Sequence, residues 1–98
     1  MKEYMIIVTL PEVFSPRFMS LINDQRKAVS ELMNEGVILN YSLSHDRSKL
    51  WITLMAESET EVKKHIKRLP LSRYMQSTIV ELMFHQSSSF ILPEPSLN

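Results

Sequence analysis

The chain has 98 residues, of which 44% are hydrophobic and 22% charged, and its eleven basic side chains balance eleven acidic ones. This length suits one folded domain, and the composition excludes an intrinsically disordered chain. The zero formal charge gives no basic field for nucleic acid or an anionic membrane, and the absence of cysteine excludes disulfides and thiolate metal sites.

The N-terminal segment shows no feature of a secretory signal. It leads into a short apolar stretch without a small-residue cleavage site after it. No apolar run approaches the roughly 20 residues that a membrane span needs. We therefore expect a cytoplasmic protein without nucleic-acid or membrane partners. We expect one domain over residues 1–98, with its core at 4–86 and a C-terminal tail at 87–98.

The first two predicted elements are a strand and an amphipathic helix. Tyr4–Leu10 is apolar and partly β-branched, which predicts a strand that is covered on both faces. Ser15 as N-cap and Pro16 at the first helical position begin a helix, and Gly36 ends it after about Asn34. Its apolar residues form one stripe, and Gln25 lies near the centre of that stripe.

The rest of the chain predicts a hairpin, a second helix, a fourth strand and a tail. The hairpin consists of strands at Val37–Ser44 and Lys49–Ala56, joined by His45–Ser48. The second helix is opened by the capping box Ser58–Glu61 and ended by Pro70, and the fourth strand covers Gln76–His85. The tail contains the apolar triplet Phe90–Leu92, which we expect to dock on its own or a neighbouring subunit. The order β-α-β-β-α-β predicts an α+β, ferredoxin-like fold: a four-stranded antiparallel sheet with two helices on one face.

Strand alternation predicts which residues face the helices. On the helix side we expect Tyr4, Ile6, Val8, Leu39, Tyr41, Leu43, Leu50, Ile52, Leu54, Val80, Leu82 and Phe84. On the other side we expect Met5, Ile7, Thr9, Ile38, Asn40, Ser42, Trp51, Thr53, Met55, Ile79, Glu81, Met83 and His85. A second face so rich in Ile, Met and Trp predicts cover by another copy of the same sheet, in a symmetric homodimer or larger homo-oligomer.

One segment resembles the C-terminal half of muconolactone Δ-isomerase. The resemblance is carried by Leu69–Met75 (LPLSRYM), His85 ten residues later and Ser87-Ser88, together with Leu10-Pro11, Pro16 and Glu35-Gly36. It covers about residues 4–88. It implies a dimeric ferredoxin-like α+β barrel and a reaction without metal or organic cofactor, in which a proton leaves one carbon of an unsaturated lactone and is returned elsewhere.

The resemblance also implies where the site residues fall. The family carries carboxylates on the inner side of the first helix, and Asp24 matches one of them. Gln25 stands where the likely catalytic glutamate aligns, and a neutral amide cannot act as a base. On the second strand, Leu39 and Asn40 replace basic residues and Ser42 replaces an aromatic one. The departures fall on the site, whereas the scaffold positions match.

Three residues are candidates for proton transfer, which requires a base near neutral pKa. His85 ends the fourth strand, either as a pocket acid or base or as a rim or interface residue. Glu81 lies two residues before it, so the two form either a dyad with a raised pKa or parts of an intersubunit ion pair. Asp24 lies at the flank of the helix stripe, where it is either catalytic or solvated.

Five residues are candidates for ligand binding: Gln25, Asn40, Tyr41, Trp51 and Tyr74. Gln25 either contacts a ligand or hydrogen-bonds Tyr41 or a strand-end carbonyl, because buried polar groups need partners. Trp51 is either core or interface, or covers a flat ligand. Tyr74 either packs or turns its hydroxyl to the substrate. Three scattered histidines without cysteine predict no metal site.

Three functions remain open from the sequence. The first is an isomerase that acts without a cofactor on a small unsaturated lactone or related carboxylic acid, as in the catabolism of aromatic compounds. The second is a catalytically inactive small-molecule binding protein on the same scaffold. The third is a cofactor-free monooxygenase-type enzyme acting on an aromatic substrate. The pocket lies either under the first helix or inside the shared barrel of a dimer.

Overall fold

The computed structural model describes residues 1–84 and 86, and its elements follow the predicted β-α-β-β-α-β order. The strands are β1 (Lys2–Thr9), β2 (Ile38–Leu43), β3 (Lys49–Ala56) and β4 (Gln76–Leu82); the helices are α1 (Pro16–Ser20), α2 (Ile22–Asn34) and α3 (Glu59–Lys67), with a 3₁₀ turn at Ser72–Tyr74. The predicted strand Tyr4–Leu10 thus begins and ends slightly earlier. The fourth strand ends before His85, which lies outside the described residues, as does the tail 87–98.

The four strands form one antiparallel sheet in the order β2-β3-β1-β4. This order confirms the predicted ferredoxin-like α+β fold. The core lies between one face of the sheet and the helices. It is built by Tyr4, Ile6 and Val8 of β1, by Leu50, Ile52 and Leu54 of β3, and by Val29, Leu32 and Val62 of the helices. These side chains are buried between the sheet and the helices, away from water.

The predicted end signals of the helices are present. The Ser15 hydroxyl accepts the Phe18 N–H at 3.1 Å, and the Ser58 hydroxyl accepts the Glu61 N–H at 3.3 Å. Gly36 adopts a φ of +79°, which the Cβ of other residues disfavours, and the chain then turns into β2.

The first helix is not continuous, so the prediction of one helix from Pro16 to Asn34 was wrong. It breaks at Leu21, where the backbone takes φ −96° and ψ −4°. The Ser20 hydroxyl donates to the Arg17 carbonyl at 2.7 Å, a side-chain contact that competes with the helical hydrogen bonds. Phe18, before the break, is buried, and its ring stacks on Phe14 with centroids 4.0 Å apart.

A bulge in β2 overturns the predicted faces of two residues. Ile38 pairs with Leu54 and Asn40 pairs with Thr53, so Leu39 is the extra residue. Ile38 is therefore buried in the core, whereas Leu39 is 40% exposed. A strict two-residue alternation cannot anticipate an inserted residue.

The facing of β4 was also predicted wrongly. Ile79 pairs with Ile6 and Glu81 pairs with Tyr4, which puts both on the helix side. Val80 pairs with Met5 and therefore lies on the opposite face. Both faces of this strand carry apolar residues, so alternation alone could not determine which residues face the helices.

The sheet face away from the helices carries an apolar patch. We call Met5, Ile7, Trp51 and Val80 the open face; the last three are 36%, 38% and 41% exposed in the single chain. Thr53, in their midst, is buried and donates to the Met5 sulfur at 3.7 Å.

Candidate functional site

The strongest candidate site is an apolar cavity between the broken first helix and the β2–β3 end of the sheet. We call it the helix-side cavity; its walls are formed mainly by Leu10, Phe14, Phe18, Ile22, Leu50 and Met75. It has a volume of about 160 Å³. An engineered apolar cavity of about 150 Å³ binds benzene, so this volume suits a single-ring ligand.

A hydrogen-bonded pair of polar side chains lies in this apolar wall. Gln25, which is only 3% exposed, donates from Nε2 to the Tyr41 hydroxyl oxygen at 3.0 Å. The Gln25 Oε1 accepts the backbone N–H of Leu71, also at 3.0 Å. Of the alternatives predicted for Gln25, the hydrogen bond to Tyr41 is observed. Both side chains also line the cavity, so the structural role and a ligand contact do not exclude each other.

Two further features set the electrostatics of the cavity. Burial raises the pKa of the Tyr41 hydroxyl, and the hydrogen bond from Gln25 opposes this only in part, so the phenol stays protonated at neutral pH. Arg26 also lines the cavity while remaining exposed to solvent. Its guanidinium can bind a carboxylate that extends from a ring held by the apolar walls.

Neither Arg26 nor the Leu71 N–H was predicted from the sequence as part of the site. Arg26 follows Gln25 by about 100° around the helix, so a helical projection extended to the flanks of the stripe could have found it. The role of the Leu71 N–H could not be predicted, because the residue type does not indicate which backbone groups of a turn hydrogen-bond a side chain.

The candidate proton-transfer residues are not brought together in the described structure. Asp24 is exposed on α2 and does not line the helix-side cavity. Glu81 pairs across the sheet with Tyr4 and lies 3.8 Å from the Lys2 ammonium in an exposed ion pair. Glu81 is not among the residues that line the helix-side cavity. His85 lies outside the described residues.

The remaining ligand-binding candidates lie elsewhere. Asn40 and Trp51 lie on the face away from the helices, since their pairing partners Thr53 and Ile7 lie there. Tyr74 makes an edge contact with Phe18, centroids 5.3 Å apart, and borders a separate small hollow beside the helix-side cavity. Of the five candidates, only Gln25 and Tyr41 line the helix-side cavity. The roles of the other three stay predictions.

The helix-side cavity can therefore hold a ring, offer hydrogen bonds to an oxygen and attract a carboxylate. Gln25, Arg26 and Tyr41 are its polar side chains, and no carboxylate or imidazole of the described residues lines it. Within residues 1–84 and 86, no group of three or more His, Asp or Glu side chains is placed to hold a metal ion. No helix in this part of the chain is long and apolar enough to cross a membrane.

Comparison with known proteins adds one match. The family model described as muconolactone delta-isomerase matches residues 3–88. A search of curated protein sequences found no match. The matched range contains the sheet except Lys2, all three helices and every residue that lines the helix-side cavity.

Proposed function

The chain belongs to the muconolactone delta-isomerase family, so its function is in general muconolactone isomerase-like, and we propose that the helix-side cavity binds a small unsaturated lactone or related carboxylic acid. The observation that carries this proposal is the pairing of an apolar cavity of about 160 Å³ with the Gln25–Tyr41 hydrogen bond in its wall. The apolar walls contact the ring, the Gln25–Tyr41 pair hydrogen-bonds a carbonyl oxygen, and Arg26 binds the carboxylate.

We propose that the bound lactone is isomerised by cofactor-free proton transfer, in the cytoplasm and in the catabolism of aromatic compounds. The match over residues 3–88 supports this chemistry. The reaction needs a base that removes a proton from a carbon next to a carbonyl. The sequence candidates for this base are Asp24, Glu81 and His85; the first two do not line the helix-side cavity, and His85 lies outside the described residues.

A second candidate function is binding without turnover, and one observation favours it. Gln25 occupies the inner side of the first helix, where the family resemblance implies a glutamate, and an amide cannot accept a proton from carbon. Proton NMR with muconolactone in deuterated buffer separates the two functions. Conversion to the isomeric enol-lactone, or deuterium uptake next to the carbonyl, establishes an enzyme, whereas binding without either establishes a binding protein.

A matched pair of variants tests where the ligand binds. Leu43 lines the helix-side cavity and is 52% exposed, so a larger side chain there can cover the cavity without entering the core. Leu39 lies on the same strand with 40% exposure but does not line the cavity. We expect Leu43→Trp to abolish muconolactone binding by calorimetry and Leu39→Trp to leave it unchanged. Equal affinities for the two variants would contradict this location.

We also propose that the chain is a homodimer through its open face. Ile7, Trp51 and Val80 expose more than a third of their surface there, and this apolar area is stabilised by cover from an identical sheet. Light scattering should give twice the chain mass for the native protein and for the loop variant Val13→Lys. It should give the monomer mass for Trp51→Lys, because a charge would be buried in the interface.

A further inference from the structure

The backbone N–H of Leu71 fixes which way the Gln25 amide faces. An N–H can only donate, so the amide atom opposite it, at 3.0 Å, must be the carbonyl oxygen Oε1. The other end of the amide, the NH₂ group, is thereby turned toward Tyr41, with Nε2 at 3.0 Å from the hydroxyl oxygen. An amide nitrogen has no free lone pair for a hydrogen bond, so Gln25 can only donate to Tyr41.

This leaves the Tyr41 proton uncommitted. The hydroxyl oxygen is the acceptor in its bond with Gln25, and among the described residues no hydrogen bond has the Tyr41 O–H as donor. The surrounding wall is built of side chains such as Leu10 and Leu50, which offer no acceptor. A half-buried donor that faces an apolar cavity is stabilised when a ligand supplies an acceptor.

We propose that Gln25 is a positioning residue that holds Tyr41 as a hydrogen-bond donor, and that the Tyr41 O–H binds the carbonyl oxygen of the ligand. This inference rests on the proposed function, since it places the ligand in the same helix-side cavity. The raised pKa of Tyr41 is consistent with it, because a protonated phenol is the donor form.

The arrangement also explains what glutamine does that glutamate cannot. An ionised carboxylate at position 25 would accept both the Leu71 N–H and the Tyr41 O–H, since it carries no proton of its own. The Tyr41 hydroxyl would then donate its hydrogen bond to the protein rather than to the ligand. Glutamine at this position therefore selects ligands that carry an acceptor at Tyr41, such as an unsaturated ketone or lactone.

Two ring probes of equal size test the donor. Cyclohex-2-enone carries a carbonyl acceptor, and cyclohexene does not. Removal of one neutral hydrogen bond weakens binding about fivefold, so we expect Tyr41→Phe to bind the enone about fivefold less tightly and cyclohexene unchanged. Tyr4→Phe is the matched control, because Tyr4 belongs to the core and does not line the cavity; it should bind both probes like the native protein.

Infrared spectroscopy of the bound enone tests the direction of the hydrogen bond. In the native protein a donated O–H lowers the carbonyl stretching frequency, and in Tyr41→Phe the frequency should rise. Gln25→Glu should raise it as well, once the carboxylate bands in the same spectrum show that Glu is ionised. A merely structural role for Gln25 would not move this band.

The outcomes separate the inference from the proposed function. Binding of the enone with a carbonyl band that neither variant shifts would overturn the inference, while the cavity would stand as a ligand site. Equal losses of enone and cyclohexene affinity in Tyr41→Phe would overturn it in the same way. Failure of both rings to bind the native protein would overturn the inference and the proposed function together.

Discussion

Replacement of Gln25 by leucine should destabilise the folded protein although leucine is the more apolar residue. Gln25 is 3% exposed and lies in the apolar stripe of the first helix, so burial alone would favour leucine. The substitution, however, leaves the buried Leu71 N–H without an acceptor and removes the donor to Tyr41. A buried polar group that loses its partner costs more than an ordinary hydrogen bond contributes.

The magnitude follows from these two bonds. The unpaired Leu71 N–H costs about 1–3 kcal/mol and the lost bond to Tyr41 about 1 kcal/mol. The apolar leucine returns about 1 kcal/mol through burial. We therefore expect a net loss of about 1–3 kcal/mol in the free energy of unfolding, or about 4–8 °C in Tm for each kcal/mol in a domain of this size.

Urea unfolding at fixed protein concentration measures this loss of stability. A double-mutant cycle with Tyr41→Phe separates the part due to the Tyr41 bond from the part due to the Leu71 N–H. Tyr41→Phe alone should lower the free energy of unfolding by about 0.5–1.5 kcal/mol, because it removes the hydrogen bond with Gln25 and the hydroxyl faces the cavity. In the Tyr41→Phe background, Gln25→Leu should cost about 0–2 kcal/mol, which is the loss at the Leu71 N–H less the gain from leucine burial. The coupling between the two sites should be about 1 kcal/mol. A neutral or stabilising effect of Gln25→Leu would show that the Leu71 N–H does not depend on Gln25, and a coupling of zero would contradict the bond between Gln25 and Tyr41.

Three further predictions concern the core, the hairpin and the missing base. Leu32→Ala should lower stability by about 2–5 kcal/mol in urea unfolding, whereas Met33→Ala, 41% exposed, should stay within about 0.5 kcal/mol. Hydrogen bonds from the Ser48 N–H and from the Ser48 and Ser44 hydroxyls lower the pKa of Asp46 from 3.8 to about 2. The stability that this gives is present above about pH 4 and lost as pH falls through about 2, so the Tm difference between native protein and Asp46→Asn should shrink over that window; a constant difference would contradict it. Gln25→Glu should speed deuterium uptake by muconolactone in the NMR assay, because it adds a carboxylate base beside the cavity; a rate equal to that of the native protein would contradict this.

Much of the fold follows from local signals in the sequence. Ser15, Gly36 and Ser58 mark helix ends through side-chain or backbone chemistry that acts within a few residues. The hairpin strand Lys49–Ala56 begins and ends as predicted. These features depend on neighbours in the chain, which is why residue type and spacing suffice to locate them.

The errors arise where tertiary contacts decide. The bulge at Leu39 depends on how β2 pairs with β3, and the facing of β4 depends on its register with β1. Glu81 was taken as a partner of the predicted dimer face, and only the register shows it opposite Tyr4 on the helix side. Long-range pairing leaves no mark in the local pattern when both faces of a strand are apolar.

The candidate site divides in the same way. Gln25 was identified because it is a polar residue within an apolar stripe. A polar side chain that is buried there needs hydrogen-bond partners. Its partner Leu71 was missed because it acts through its backbone N–H. Asn40 and Trp51 lie on the face opposite the helix-side cavity, as strand alternation predicted.

A titration of the isotope-labelled protein with muconolactone, followed by amide NMR shifts, shows where the ligand binds. We expect saturable shifts concentrated at Gln25, Tyr41 and Leu71, around the hydrogen bonds that line the helix-side cavity. Saturable shifts at Ile7 and Trp51 instead, with none at Leu71, would put the ligand on the open face and contradict binding in the helix-side cavity. So would a spectrum that does not change at any ligand concentration.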